Sequence, residues 1–433
     1  MPVRYQAQST QALQPVELAT PVASAKQLNP DTFIALAKLR KWAEERGFAG
    51  YEPYDLLNSR VLPGWVAEVF PLNWLLIQAG MHLPGHALRQ LLRVPRSRNP
   101  KALGLFLAGY CDLARCGEET LSRAEHLKKE LIRLRSPDEP YCCWGYDWDY
   151  VSLRGSSMRA FRPNAIASVF CGQALLDMAE VFNDGEAAGM ARSVGEFFVN
   201  RLNRPVDTAS HLCFSYTPDN QTRILNVTAL VAAFMTRLAR MTENQELSGL
   251  ARRSLQYLVD QQQPDGSWPY GAGPSQTWVD GFHTGYNLCA LLDYAEFSGD
   301  ESFADSLRRG YEFYTSIMIA PGGMPKYFKN SLYPLDIHSC SQAILVLSRL
   351  SSLWPGAGAQ ALAVLKWTLE NMQSPDGSFY YQRHRGWVNR TPYMRWGQAW
   401  MFHSLCRFQA NQLQRQADPK RVTLRQVSGT VPS

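Results

Sequence analysis

The chain has 433 residues, of which 45% are hydrophobic and 12% aromatic, so it is long and apolar enough to bury a large core. Its formal net charge of +6 is modest for this length and is spread along the chain. This distribution excludes the clustered basic surface that is typical of nucleic-acid-binding proteins.

The first segment in chain order, residues 1–30, is polar and is predicted to be a flexible arm. Because it lacks the continuous apolar stretch of an export signal, we expect a cytoplasmic protein. The nine cysteines agree with this expectation. They are odd in number and lie mostly in apolar stretches, as buried thiols in a reducing compartment do.

Residues 61–83 form the next notable segment, which is apolar on average. Pro63, Glu68 and Pro71 interrupt it. The segment is therefore predicted to be a buried or surface-lying helix, and no membrane span is expected.

Between residues 31 and 410 one pattern occurs six times: an amphipathic stretch, a loop with aromatic residues, and a mostly apolar stretch with a polar first residue. The apolar stretches begin near Asn99, Asn164, Asn226, His283, Asp336 and Arg395, at intervals of 53–65 residues. This period fits two helices and two connections per unit, and such units bury their apolar faces on their neighbours. Residues 411–433 are polar and are predicted to be a disordered tail.

The two stretches of each unit differ in their apolar pattern. In the fourth amphipathic stretch, Leu247, Leu250 and Leu258 fall on one helical face, whereas the second stretches are apolar nearly all round. Six surface helices that alternate with six buried ones predict an all-α (α/α)6 toroid, with an inner and an outer ring of six helices each. All inner helices then run in the same direction, so their N-termini and the aromatic loops gather at one mouth. The short turns at the other mouth are interpreted as structural.

Two loops have the spacing of the QW motif of terpenoid cyclases. The matching residues are Leu258, Gln262, Gly266 and Trp268 in one loop and Leu369, Gln373, Gly377 and Phe379 in the other. A Pro-Asp-Gly turn places glycine at positive φ, and the glutamine amide can bind exposed backbone groups. We interpret both motifs as scaffold.

Two inner helices begin with an Asp–His pair, where free N–H groups and the helix dipole favour bound anions. The predicted catalytic residues are Asp280, His283, Asp336 and His338. As helix caps or core histidines they would be structural instead. Paired carboxylates are the acid and base of glycosidases, whereas a His or Tyr that removes a proton beside a uronate carboxylate is typical of lyases and epimerases. The sequence leaves these alternatives open.

The same loops hold aromatic rings, amides, carboxylates and cations, a combination that describes a saccharide cleft. The predicted substrate-binding residues are Asp147, Asp149, Arg162, Asn164, Asn226, Trp268, Trp278, Tyr286, Lys326, Tyr327, Tyr393, Arg395, Trp396 and Gln398. The Asp-x-Cys step of zinc-dependent prenyltransferases, the Asp-x-Asp-Asp acid motif of cyclases and a Walker-type phosphate loop are all missing from the sequence. We therefore expect neither a metal nor a cofactor.

The phrases WVDGFHTGYNLCALLDY, PKYF…YPLDIHSCSQAI and NRTPYMRWGQAWM resemble a bacterial family of toroid proteins of exopolysaccharide biosynthesis, over about residues 51–407. At superfamily level the chain is similar to six-hairpin glycosidases, uronate epimerases and N-acylglucosamine epimerases. The resemblance implies the toroid and a polysaccharide context, without a catalytic set to transfer. The leading hypothesis is a cofactor-independent hydrolase, lyase or epimerase that acts on an oligo- or polysaccharide, acidic ones included.

Two alternatives remain: a non-catalytic saccharide-binding or assembly component, and a relative of terpenoid cyclases or prenyltransferases, which the missing motifs disfavour. Peripheral association with the biosynthetic machinery is compatible with each hypothesis, and nucleic acid is not an expected partner.

Overall fold

A computed structural model describes residues 30–83, 85–151 and 157–417. Fourteen α-helices occur in these ranges. They are α1 (Pro30–Glu44), α2 (Leu72–His82), α3 (Gly85–Leu91), α4 (Pro100–Arg115), α5 (Leu121–Arg133), α6 (Ala165–Phe182), α7 (Gly185–Arg201), α8 (Leu225–Thr242), α9 (Gln245–Asp260), α10 (Gly281–Ser298), α11 (Ala304–Phe313), α12 (Ile337–Leu350), α13 (Pro355–Met372) and α14 (Trp400–Ala417).

Twelve of these helices form two concentric rings. The inner ring runs α4, α6, α8, α10, α12 and α14, each packed on the next, and α14 packs on α4 to close it. Helices α1, α5, α7, α9, α11 and α13 form the outer ring, while α2 and α3 lie in the connection from α1 to α4. The predicted (α/α)6 toroid is confirmed.

The strands are two residues long and lie in the connections. They are β1 (Tyr150–Val151), β2 (Ser157–Met158), β3 (Val206–Asp207), β4 (Leu212–Cys213), β5 (Ile319–Ala320), β6 (Met324–Pro325), β7 (Leu335–Asp336), β8 (Gln382–Arg383) and β9 (Val388–Asn389). Antiparallel pairs form between β1 and β2, β3 and β4, and β5 and β6, and β8 lies between β7 and β9. In this last sheet Asp336 is opposite Gln382, which in turn is opposite Asn389.

The inner helices are buried on all sides, as their apolar composition predicts. In α6, for example, 72% of the residues are buried inside the structure. By length and composition α6 is also the single described helix that could cross a membrane, but a core helix has the same properties. Eight of the nine cysteines are buried, and all nine are unpaired.

Both QW motifs join neighbouring outer helices. The Gln262 amide donates to the carbonyl oxygens of Gly266 and Ser306, each at 3.0 Å, and so links the end of α9 to α11. Gln373 repeats this arrangement after α13, donating at 3.2 Å to the carbonyl of Gly377 and to that of Ala35 in α1. Gly266 and Gly377 have φ of +87° and +94°, as the predicted turns require.

Backbone hydrogen bonds join five of the six neighbouring pairs of units at the mouth where the inner helices begin. Near the start of an inner helix an N–H donates to a tyrosine carbonyl in the following loop. The pairs are Ala165 to Tyr216 (2.9 Å), Leu225 to Tyr270 (3.1 Å), Gly281 to Tyr327 (2.9 Å), Ile337 to Tyr381 (3.1 Å) and Met394 to Tyr51 (3.0 Å). The last pair connects the sixth unit to the first, whereas α4 of the first unit begins with Pro100, which has no N–H to donate.

The predicted boundary of the tail is wrong by seven residues, because α14 continues to Ala417. Residues 411–417 read NQLQRQA, which contains no helix breaker, and the first proline is Pro419. The predicted arm, up to residue 29, and the rest of the tail, from residue 418, lie outside the described residues.

Candidate active site

Four of the inner helices begin with a polar capping residue, and the side chains of these residues lie at one mouth of the barrel. Asn99 and Asn164 accept from the backbone N–H groups of Ala102 and Ala167. Asp280 accepts from His283 N at 2.9 Å, and Asp336 accepts from His338 N at 2.8 Å. The capping role that the sequence offered as an alternative is therefore present, and it fixes both aspartates rigidly at the cleft.

His283 is the more accessible of the two predicted histidines. Its Nδ1 lies 2.6 Å from Asp280 Oδ2, and the Trp278 indole donates to the same oxygen at 3.2 Å. The side chain is 19% exposed and packs 4.7 Å from the ring of Tyr270. Because Asp280 holds Nδ1, the other ring nitrogen, Nε2, is left to exchange a proton with a ligand, as in an Asp-oriented catalytic base.

His338 lies deeper, between the rings of Phe282 at 4.5 Å and Trp400 at 4.7 Å. Its Nε2 is 2.7 Å from the Tyr286 hydroxyl, and its Nδ1 has no partner among the described residues. Burial, with the positive charge of Lys101 as a smaller contribution, holds the pKa of His338 well below its ordinary value. Burial also raises the pKa of Tyr286 well above its ordinary value. Both side chains are therefore neutral at neutral pH, and one proton lies in the hydrogen bond between them.

Lys101 is a functional candidate that the sequence analysis missed. It is the second residue of α4, is only 3% exposed, and its Nζ lies 4.2 Å from the ring centroid of Phe170 and 5.1 Å from that of Trp400. Burial, reinforced by the charge of Arg395, lowers the pKa of Lys101 well below its ordinary value. A lysine inside an apolar run carries no sequence signal of its own.

Asp336 is fully engaged by neighbouring donors. The Trp396 indole donates to it at 3.0 Å and the Gln382 amide at 2.7 Å, in addition to its helix-capping bond. Burial raises the pKa of Asp336 to about 6, against the opposing effect of these hydrogen bonds. With both oxygens occupied, Asp336 orients Trp396 and the start of α12. Its predicted catalytic role stays a prediction.

Arg395 is buried in a pair with Glu52, which the sequence analysis also missed. The Arg395 backbone N–H donates to Glu52 Oε1 at 2.8 Å, and its Nε lies 3.1 Å from Glu52 Oε2. The guanidinium lies 4.9 Å from the ring centroid of Trp148 and 5.3 Å from that of Tyr146. Burial raises the pKa of Glu52 to about 8, although the charge of Arg395 opposes the shift.

Three predicted binding residues of the second unit are held by polar or charged side chains of the protein itself. Asp147 is buried and accepts from Ser97 and, at 2.6 Å, from the Asn99 amide. Asp149 pairs with an arginine ten residues later, and Arg162 pairs with Asp219 at the surface. Asp147 therefore belongs to the group of buried charged residues around Glu52 and Arg395. Asp149 and Arg162 lie in more exposed ion pairs.

Five predicted binding residues have internal partners, so the structure shows a scaffold role for them, and their predicted part in substrate binding stays a prediction. Asn164 is fully buried as a cap, the Trp268 indole donates to Leu258 O, the Lys326 ammonium donates to Lys329 O, the Tyr393 hydroxyl donates to Gly80 O, and the Gln398 amide bonds both backbone groups of Phe379. Asn226, Trp278, Tyr286, Tyr327 and Trp396 keep groups that a ligand can use. In particular, Asn226 Oδ1 is buried without a partner among the described residues.

A cavity of about 860 Å³ opens at the other mouth, where the sequence predicted only short structural turns. Several of the charged residues in its walls form ion pairs, for example Asp177 with Arg115 at 2.8 Å and with Arg237 at 2.9 Å. At its inner end lie Phe170, Tyr286 and Trp400, the rings that surround Lys101 from the other side. At the N-terminal mouth, by contrast, the Asp280–His283 pair leaves His283 Nε2 without a partner among the described residues. Within the described ranges, no three His, Cys, Asp or Glu side chains form a group suited to a metal ion.

No protein-family model matches the sequence, and no curated protein matches it either. Solved structures match in fold. A cellobiose 2-epimerase from Bacillus thermoamylovorans is 12% identical with a TM-score of 0.60, over 75% of this chain and 90% of that one. An α-1,6-mannanase from a Salegentibacter species is 13% identical with a TM-score of 0.53, over 73% and 90%. A D-mannose isomerase is 9% identical with a TM-score of 0.57, over 73% and 87%.

The chain has the toroid fold of these enzymes. At such low identities the similarity concerns the arrangement of helices, and the three names describe three different reactions. The sequence resemblance to exopolysaccharide-biosynthesis proteins has no counterpart among these three matches and stays a prediction.

Proposed function

We propose that this protein is a cofactor-independent sugar epimerase or isomerase, in which His283 removes a proton from the carbon beside a sugar carbonyl. The observation that carries this proposal is the Asp280–His283 pair at 2.6 Å, partly exposed at the start of α10. A second proton carrier, the His338–Tyr286 pair, is close by, since the ring of Tyr286 lies 5.9 Å from that of His283. Similar folds that carry the names epimerase and isomerase support the same class of reaction.

The reaction needs only proton transfers. His283 Nε2 takes the proton of the carbon next to the carbonyl of an open-chain sugar, and the electron pair moves onto the carbonyl oxygen to give an enediolate. The fixed positive charge of Arg395 stabilises this negative charge in a site from which water is largely excluded. The Tyr286 hydroxyl returns a proton to the opposite face of the carbon and the carbonyl re-forms, which gives the epimer; the proton held by His283 passes back to Tyr286 before the next turnover. Return of the His283 proton to the neighbouring carbon, with transfer of the hydroxyl proton between the two enediolate oxygens, gives the isomer.

The test is proton exchange in heavy water. Reducing monosaccharides and disaccharides are incubated with the protein in D₂O, and loss of the C2–H signal is followed by NMR. His283→Ala is expected to lower the exchange rate about 10²–10⁴-fold, the usual cost of losing a general base. Asp280→Asn is expected to give a smaller loss, because the ring keeps its place but lacks its anionic partner.

The chain offers a matched control. His211 and Asp260 form a second His–Asp contact at 2.6 Å, on the outer surface. His211→Ala should therefore leave exchange unchanged. Exchange that persists in His283→Ala, or falls equally in His211→Ala, would contradict the proposal.

Glycoside hydrolysis is the second candidate function, and the raised pKa of Glu52 favours it. A buried glutamate with a pKa of about 8 keeps its proton at neutral pH, as a general acid must. In this case Glu52→Gln would abolish release of reducing ends from oligosaccharides, while His283→Ala would retain it. Saccharide binding without turnover by any variant would favour a non-catalytic binding component.

The sequence resemblance supports exopolysaccharide production as the setting of this activity. An inventory of the genes beside this one tests that part of the proposal. Glycosyltransferases and a polysaccharide polymerase among them are the expected result.

A further inference from the structure

Large apolar side chains are exposed mainly in one short part of the chain. Eight of the eighteen that are exposed within the described ranges lie between residues 61 and 91. They are Val61, Trp65, Val69, Phe70, Leu72, Leu75, Leu83 and Leu91, which we call the 61–91 surface. Contiguous exposed apolar surface of this kind marks an interaction site.

The 61–91 surface flanks the N-terminal mouth of the barrel. On one side Gly85 N donates to Thr391 Oγ1 at 3.0 Å, which joins α3 to the loop before Arg395. On the other side the Asn58 amide donates to Asp147 O at 2.9 Å. The surface therefore lies between the loops of the sixth and second units, beside the candidate active site.

The charges around this surface are almost all positive. Between residues 56 and 111 the sequence contains one acidic residue, Glu68, which Arg159 binds at 3.2 Å. Arg60, Arg93 and Arg96 are exposed in the same stretch. Arg60 lies close to Arg93, because Ser59 Oγ donates to Leu92 O at 2.7 Å. A ligand that covers the surface must therefore combine apolar and negatively charged groups.

The tip of the β8–β9 hairpin extends this surface. Trp387 is 44% exposed and stacks on His384 at 4.0 Å. Burial and the nearby His82 lower the pKa of His384, which places the hairpin tip beside the end of α2. Exposed indole rings such as Trp65 and Trp387, next to arginines and aliphatic side chains, are typical of surfaces that lie at a membrane–water interface.

We propose that the 61–91 surface docks on an anionic phospholipid membrane. Two other occupants lack the required negative charge. A second copy of the chain would bring the same arginines face to face, and residues 1–29 contain one acidic residue, Glu17. Anionic headgroups attract the arginines, while the apolar side chains enter the acyl boundary. This inference is independent of the proposed reaction, because its test contains no saccharide.

The full-length protein is tested by co-sedimentation with vesicles of phosphatidylcholine containing phosphatidylglycerol, and with vesicles of phosphatidylcholine alone. We expect binding to the anionic vesicles that weakens at high salt. The double variant Arg60→Glu, Arg93→Glu should weaken it by more than about tenfold, since each arginine near the headgroups contributes measurably. Leu75→Ser should weaken binding to the same vesicles through loss of apolar contact.

Matched controls make the same chemical changes elsewhere. Leu362, on α13, is 43% exposed compared with 51% for Leu75, and Arg192, on α7, is exposed like Arg60. Leu362→Ser and Arg192→Glu should leave vesicle binding unchanged, and circular dichroism melts check that every variant is folded. Absence of binding, or equal loss in the control variants, would overturn the proposal. So would a wild-type dimer in solution that Leu75→Ser converts to a monomer, because the surface would then be an interface between copies.

Discussion

Replacement of Glu52 by glutamine tests the electrostatics of the candidate site without a substrate. Three carboxyl groups, those of Glu52, Asp55 and Asp147, influence one another beside two buried arginines, Arg89 and Arg395. Burial raises the pKa of Glu52 from 4.5 to about 8, so the folded protein keeps the Glu52 proton at neutral pH.

The sign and size of the effect follow from linkage. Between these two values the unfolded chain loses the Glu52 proton while the folded chain keeps it, so the free energy of unfolding falls as pH rises. The slope is about 1.4 kcal/mol per pH unit, or about 3 kcal/mol between about pH 5.5 and about pH 7.5. Glu52→Gln mimics the protonated side chain and cannot titrate, so this component of the slope should vanish in the variant.

Urea denaturation of both proteins across this pH range measures the difference directly. Near pH 5.5 the variant should match the wild type within about 1 kcal/mol, and it should be the more stable protein at about pH 7.5. Glu370→Gln, at an exposed glutamate in α13, is the control and should run parallel to the wild type. The protonated state of Glu52 would be refuted if the free energies of unfolding of wild type and Glu52→Gln ran parallel with pH. It would also be refuted if the wild type became the more stable of the two as pH rises.

Two further predictions concern stability. Gly266→Ala should destabilise the protein by about 1–3 kcal/mol, because φ there is +87° and the new methyl group would lie 2.4 Å from a backbone carbonyl oxygen. Gly249→Ala, at an exposed helical position with open space around it, should instead stabilise the protein by about 0.5–1 kcal/mol. Equal shifts in the melting temperature of the two variants would contradict this interpretation of the Gly266 turn. Burial opposes ionisation of Asp177, but two arginines outweigh it and hold its pKa well below its ordinary range. Asp177→Asn should therefore cost about 3–5 kcal/mol at neutral pH, whereas the exposed Asp305→Asn should cost less than about 1 kcal/mol. The Asp177 contribution is lost as pH falls, so wild type and Asp177→Asn should converge in acid, as urea titrations will show.

The ring architecture could be predicted because the information for it is local. Apolar periodicity separates inner from outer helices within each unit, and caps such as Asp280 and Asp336 stand directly before the helices that they begin. The QW turns are local as well, since Gly266 and its glutamine partner are four residues apart. A repeat of this kind needs no long-range information to be recognised.

The site was only partly predictable, because its contacts join distant parts of the chain. Whether Glu52 is buried depends on Arg395, which is 343 residues away, and Lys101 is recognisable only from the rings that other helices bring to it. Polar residues at helix starts also look alike in sequence, whether they face a cleft or a backbone group. Gln398 belongs to the second kind, since both ends of its amide bind Phe379.

The hydrogen bond from Met394 to the carbonyl of Tyr51 has a consequence for the order of events during synthesis. A ribosome delivers the first unit long before the last, so the first unit waits without the neighbour on which it will finally pack. Until the last unit arrives, Glu52 has no Arg395 beside it and lies on an open edge of an unfinished ring. The charged cluster is therefore complete only when nearly the whole chain has been made, and any shortened chain that stops before residue 395 lacks one of its two arginines.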